Sequence, residues 1–255
     1  MTAGVLAPPR RTPVAWTPVA NALAVMDAAK AIRLDVATGP GWLQAAKLTE
    51  PAGLDVLLQA ATRRWKAAPH ASATLAWKSY SYWAGLPTVL SWAAARRVPL
   101  LTAETTYVQF HDEAPFLTVG TAPVPFAVLP TDRLAGTPGT IVVADEDELL
   151  ATLRTTLLDR HLDPLLDAIR TEVNVGRRTL LGSVASGIAY GMIRASDALP
   201  GSTHDSLLRL LAALDLDDLV DICTTESGLS VQRKTCCLAF TLEQPKICGG
   251  CCIRP

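Results

Sequence analysis

The sequence predicts an α+β protein, mainly helical, with a small antiparallel sheet and a cysteine-rich C-terminal appendage. Three observations lead there. Several stretches carry apolar residues at helical spacing, among them Leu54, Leu57, Leu58, Ala61 and Trp65. The stretch 100–129 instead mixes β-branched and aromatic residues with turn formers. Finally, none of the six cysteines precedes Cys223, and five of them (Cys236, Cys237, Cys248, Cys251 and Cys252) follow position 235.

Taken in order, Pro8, Pro9, Pro13 and Pro18 predict an extended N-terminal arm over 1–20. Helices are expected over 20–33 and 54–66. The aromatic-rich run 71–95 reads as two helices meeting at Gly85-Leu86-Pro87, because an interior proline interrupts the helical hydrogen-bond ladder. Strands follow at 105–110 and 116–119, joined by His111-Asp112-Glu113-Ala114 as a hairpin, with a third at 124–129 and a fourth at 140–143. Asp145 and Glu148 have capping-box spacing, so a helix starts there and runs to about Asp159. Asp163 with Pro164 after it opens another. Two more helices are expected, over 177–198 and over 203–214 behind Ser202 or Thr203. The segment 230–242 alternates well enough for a strand, and Pro245 turns the chain before Cys248.

With 255 residues, 49% hydrophobic and 18% charged, the chain has ample material for a core and is no disordered segment. The division expected is an arm (1–20), a scaffold (21–225) and a cysteine-bearing tail (226–255). No apolar run reaches the length of about 20 residues that a spanning helix needs. The run 83–95 holds Pro87 and ends at Arg96-Arg97, and the run 117–129 holds Gly120, Pro123 and Pro125. Arg10-Arg11 hints at a twin-arginine signal, but no strongly apolar stretch follows it. A cytoplasmic protein is expected, with no transmembrane segment. The formal net charge of −1 speaks against a nucleic-acid binder. The tail differs from the average: Arg233, Lys234, Lys246 and Arg254 stand against Glu243 alone.

A disulfide scaffold spreads its cysteines along the chain, whereas clustered cysteines in a reducing compartment point to metal or redox chemistry. Cys236 and Cys237 are adjacent, and Cys248-Gly249-Gly250-Cys251 forms a chelating turn whose glycines can take positive φ. Four thiolates suit a structural zinc or an iron–sulfur cluster, and the C-x₂-C element alone does not choose between them. If Cys236 and Cys237 lay in a strand, their side chains would point to opposite faces.

The pattern Arg233-x-x-Cys236-Cys237-x₁₀-Cys248-x₂-Cys251 resembles the C-terminal signature of the FhuF-type ferric-siderophore reductases. A second stretch is similar to that family's central helical region: His161-Leu162-x-Pro164-Leu165, then Val175-Gly176-Arg177-Arg178-x-Leu180-x-Gly182. There Leu181-Gly182-Ser183 stands where the family has Trp-Gly-Asn. The resemblance extends over roughly 70–255 and is strongest in the tail. It implies a 2Fe–2S cluster on Cys236, Cys237, Cys248 and Cys251, with Cys252 as an alternative ligand.

The implied activity is one-electron reduction of a ferric siderophore, releasing Fe(II) in the cytoplasm or at the inner membrane face. Hydroxamate or catecholate oxygens hold Fe(III) far better than Fe(II). The near-neutral overall charge favours a hydroxamate chelate, since a triply anionic catecholate would want a more basic pocket. No Gly-x-Gly-x-x-Gly follows a strand, so electrons are expected from a separate ferredoxin or flavin reductase. Two other classes stay open. One is an adaptor whose tail binds zinc, the other a siderophore-binding protein whose cluster does not turn over.

Arg177, Arg178, Arg233 and Lys234 are candidate substrate-binding cations, because guanidinium groups match anionic oxygens; surface charge is the plainer reading. Trp77, Tyr80, Tyr82, Trp83 and Trp92 read as core before pocket. His161 reads as a helix-end hydrogen-bonding residue, and His70, His111 and His204 as surface. Cys223 is expected to be a buried, unligated thiol.

Overall fold

The computed structural model describes residues 14–35, 39–226 and 228–253. The Arg10-Arg11 pair, Arg254 and most of the expected arm lie outside them. The chain is α+β, as expected. In order come α1 (Thr17–Val25), β1 (Ile32–Arg33), β2 (Leu43–Gln44), α2 (Pro51–Trp65), α3 (Pro69–Ala95) and β3 (Arg97–Pro99). Then follow β4 (Thr106–Phe110), β5 (Leu117–Thr121), β6 (Phe126–Val128), β7 (Thr140–Val142) and α4 (Glu146–Arg154). The C-terminal part holds α5 (Asp163–Glu172), α6 (Arg177–Arg194), α7 (Thr203–Ala213), β8 (Val220–Thr225) and β9 (Gly228–Arg233).

The helix expected over 20–33 starts earlier and stops at Val25, with Pro18 in its first turn, where the missing N–H costs nothing. The strands form three small sheets. One has the order β1-β5-β4-β2, with the β4–β5 hairpin antiparallel as expected (Phe110 opposite Leu117) and β1 parallel to β5. The strands at 126–128 and 140–142 do not extend it; they form a second sheet with β3, in which β6 and β7 run parallel. The third is the antiparallel β8–β9 ribbon, pairing Val220 with Arg233. The expected boundary between scaffold and tail, at 225/226, falls in the turn of that ribbon.

Helix α3 is the axis of the core. It runs unbroken through Pro87, against the expectation of two helices. A proline inside a helix costs about 3 kcal/mol. Here every residue from Ala84 to Ala93 is buried, so interrupting the helix would forfeit far more apolar burial than the proline costs. Against α3 lies α6, whose small residues permit close approach. A Cβ on Gly191 would stand 2.6 Å from Leu86 Cδ1. The indole Nε1 of Trp77 donates to Leu180 O at 2.7 Å across the same contact.

Asp145 caps α4 as expected, accepting from Glu148 N at 2.9 Å. The helix does not stop near Asp159. It passes through a π-helical stretch, Thr155–Leu162, straight into α5, so Asp163 is helical and caps nothing. Its carboxylate instead takes Arg177 at 3.1 Å. The π stretch places His161 in the interior, where it hydrogen-bonds the Tyr80 hydroxyl at 2.7 Å; it is a core residue, not a helix-end one. Burial pushes its imidazole pKa down to about 4, partly opposed by Glu104.

Two predictions follow from this packing. Gly182 of α6 faces buried Thr235, and a Cβ there would stand 1.9 Å from Thr235 Oγ1. Gly182→Ala gains up to about 1 kcal/mol of helix propensity but overpacks the contact, so thermal unfolding should show a net loss of about 1–2 kcal/mol. The second concerns pH. An unfolded imidazole protonates near 6.5 and the native His161 only near 4, so between these values the unfolded state binds the extra proton. Stability therefore falls as pH drops through that window, by up to about 3 kcal/mol from this residue. Urea titrations of wild type and His161→Gln at several pH values should differ by a slope of that size.

Candidate functional site

The tail crosses the N-terminal half of α6 and the flank of α3. Strand β9 ends at Arg233, so Cys236 and Cys237 lie beyond it, not within a strand as the alternation over 230–242 had suggested. The chain after β9 turns through Leu238, whose positive φ of 61° is unusual for a branched side chain. Leu238 N donates to Cys236 Sγ at 3.3 Å.

The turn Cys248–Cys251, closed by Cys251 N donating to Cys248 O at 3.1 Å, then returns alongside β9. Arg233 N donates to Gly250 O at 2.9 Å, and Gln232 Nε2 donates to Cys251 O at 2.8 Å. Neither Gly249 nor Gly250 has a positive φ, contrary to expectation. Gly250 is required for a different reason: a Cβ there would stand 1.9 Å from Val231 O.

Both halves of the cysteine pattern meet in this way. Cys237 and Cys248 lie close enough to interact electrostatically, as do Cys236 and Cys252. Cys251 is buried next to them and acts electrostatically on Cys248 and Cys252. All six cysteines are free thiols. The described side chains are drawn together as these pairs, and no three His, Cys, Asp or Glu among them converge in a metal-binding arrangement.

Burial opposes ionisation of Cys237, but the Lys78 ammonium (3.8 Å from its sulfur), the Ala239 amide and the Arg233 guanidinium outweigh it and hold the thiol below its ordinary value. Burial and the neighbouring Cys237 push Cys248 the other way. Cys223 is exposed on β8, not buried as expected, because the ribbon covers only one of its faces.

Beside Cys248 opens a cleft of about 920 Å³. Helix α3 lends Lys78, Tyr82 and Trp83, α6 lends Ser183, Tyr190 and Arg194, and the tail lends Arg233, Lys246 and Cys248 to Gly250. The central helical segment of α6 proves to be the tail's seat. Gly182 admits Thr235, and Ser183 Oγ accepts from Arg233 Nη2 at 3.0 Å.

Of the nominated cations, Arg233 lines the cleft. Arg177, Arg178 and Lys234 do not: Arg177 pairs with Asp163 and Asp167, Arg178 with Asp218 and Lys234 with Asp221. The aromatic residues divide. Trp77, Tyr80 and Trp92 are fully buried core, while Tyr82 and Trp83 reach the cleft. Sequence reasoning passed over Lys78, although a lone charge in the otherwise apolar run 71–95 was a readable signal. It also passed over Arg194, Tyr190 and Trp65, which carry none.

No family model matches the chain, and no curated protein matches it in sequence. Solved structures do. The fold resembles part of a siderophore synthetase. Two structures of aerobactin synthetase IucA from a hypervirulent pathotype of Klebsiella pneumoniae align with it, each at a TM-score of 0.52. The ATP-bound form is 13% identical over 76% of this chain and 43% of its own length. The other is 12% identical over 86% and 48%. The chain thus spans less than half of either synthetase. At this identity the likeness concerns the fold. No helix among the described residues is long and apolar enough to cross a membrane.

Thiol chemistry offers a direct check on this geometry. In reduced, metal-free protein, exposed Cys223 should alkylate with iodoacetamide fastest, and buried Cys237 and Cys251 slowest, by mass spectrometry. Gly250→Val should speed Cys251 labelling several-fold by prising the turn from β9, while leaving Cys223 unchanged.

Proposed function

We propose that this protein is a ferric-siderophore reductase that passes single electrons from a 2Fe–2S cluster on Cys236, Cys237, Cys248 and Cys251 to a chelate held in the cleft. The observation that carries this reading is the meeting of the two halves of the cysteine pattern at the wall of a basic cleft, with Cys248 lining it. The FhuF-type spacing of those cysteines supports it. So does the fold likeness to a protein named as a siderophore synthetase.

The residues fit such a cluster by their chemistry. Arg233 is 4% exposed, yet its Nε and Nη1 have no partner, and a buried guanidinium left in that state calls for an anion. Lys78 adds a second cation beside Cys237. When bound, a 2Fe–2S cluster supplies one electron at a potential set partly by N–H donors and positive charge around its sulfurs. The surrounding residues tune that electron and position its acceptor. Arg233 and Lys78 stabilise negative charge on the sulfurs, the Ser183 contact fixes the guanidinium, and Trp83, Tyr82 and Tyr190 offer aromatic faces to a bound chelate. Fe(III) becomes Fe(II), which hard oxygen ligands release. A separate ferredoxin or flavin reductase returns the electron. Cytoplasmic action, at or away from the inner membrane face, belongs to the same reading.

Anaerobically purified wild type should be coloured, with a low-temperature EPR signal after dithionite reduction, and Cys237→Ser should lose the visible absorbance. Mixing reduced protein with a ferric siderophore should reoxidise it in one turnover. A colourless protein with one zinc per chain would establish the adaptor reading instead. Colour without reoxidation would leave a siderophore-binding protein.

A further inference from the structure

The charge inside the cleft differs from the charge of the chain. Four basic side chains line it (Lys78, Arg194, Arg233 and Lys246), and no Asp or Glu does. Among the described residues none of the four is in an ion pair, whereas Arg177, Arg178 and Lys234, outside the cleft, are each neutralised by aspartates. Two of the four, Lys78 and Arg233, face Cys237. The other two have no sulfur or carboxylate partner. Arg194 donates to the Met26 carbonyl and lies 5.7 Å from the Tyr190 ring, and Lys246 is exposed at the tail's edge. Trp65, Tyr82, Trp83 and Tyr190 complete an aromatic wall.

In an acid-free cleft, Arg194 and Lys246, which neither a sulfur nor a carboxylate pairs, focus positive potential on whatever enters it. The expectation of a neutral hydroxamate chelate rested on the net charge of the whole chain. That balance averages in the many acidic residues of 140–221, which lie elsewhere.

We infer that the cleft selects a ferric chelate of net negative charge with aromatic or carboxylate-bearing ligand arms, recognised by Arg194 and Lys246 at its mouth and by the aromatic wall. This specificity rests on the reductase reading for the identity of the metal. The charge preference itself is a property of binding and is tested without electron transfer.

Gallium(III) replaces iron(III) in such chelates but accepts no electron under these conditions, so binding separates from redox. Isothermal titration of the holoprotein compares gallium tris(catecholate), a trianion, with gallium tris(acetohydroxamate), which is neutral. The trianion should bind at least about tenfold more tightly at low salt. That advantage should largely vanish in about 1 M salt, where the Debye length is about 3 Å. Lys246→Glu should cost the trianion about tenfold and leave the neutral chelate unaffected; Arg194→Gln should act in the same direction.

The Lys246 side chain is exposed and its backbone hydrogen bond to Ala239 O survives substitution, so this variant should fold. Equal affinities, a preference for the neutral chelate, or no binding of either would overturn the inference. If reduction of both iron chelates proceeds without charge preference, the reductase reading stands and this one falls. If the trianion is preferred but iron is never reduced, the reverse holds.

Discussion

Arg233 leaves β9 with its side chain buried, its guanidinium against Ser183 of α6, and its backbone amide holding Gly250 of the returning tail. Scaffold, ribbon and cysteine turn are thus joined at one residue. Burying a charge without a carboxylate is costly unless another anion offsets it. The groups near enough to do so are thiols. The buried guanidinium and the Cys237 sulfur stabilise each other, and the Ser183 contact ties both to α6, which gives the otherwise thin tail a reason to dock. The small apolar cluster of Leu75, Cys237, Ala239 and Leu242 secures that docking on the α3 side.

Local rules were readable where the chain interacts with itself over a few residues. The Asp145–Glu148 cap, the 106–121 hairpin and the Ser202 cap of α7 all involve short-range hydrogen bonds, and their residues announce them. Reading failed where distant burial outvoted a local preference. Pro87 is a helix breaker by its own chemistry, but it sits in the buried middle of α3. The π stretch at 155–162 hides any stop near Asp159, because widening the helix by one residue per turn leaves no mark in composition. The strand expected to reach Leu242 ends at Arg233, since the antiparallel partner strand begins only at Val220.

The candidate site divides along the same line. The cysteines and Arg233 were legible from spacing, being packed into a short stretch of sequence. The other walls of the cleft come from helices more than a hundred residues apart, and no periodicity marks which turn of α6 will face which turn of α3. Net charge does not describe the cleft for a related reason: it sums the chain, whereas a bound ion responds to the few side chains within a Debye length. Arg177 and Arg178 look available in the sequence only because Asp163, Asp167 and Asp218 are brought to them by folding.

The absence of cysteine before Cys223 has a bearing on chemical damage. A thiol-directed reagent, whether an alkylating agent or a disulfide-forming one, finds no cysteine inside the helical core, so thiol chemistry is confined to the ribbon and the tail behind it. The surface of α6 that seats the tail, with Ser183 and Gly182, carries no thiol of its own, so a reagent that modifies the tail's sulfurs leaves the seat chemically unaltered.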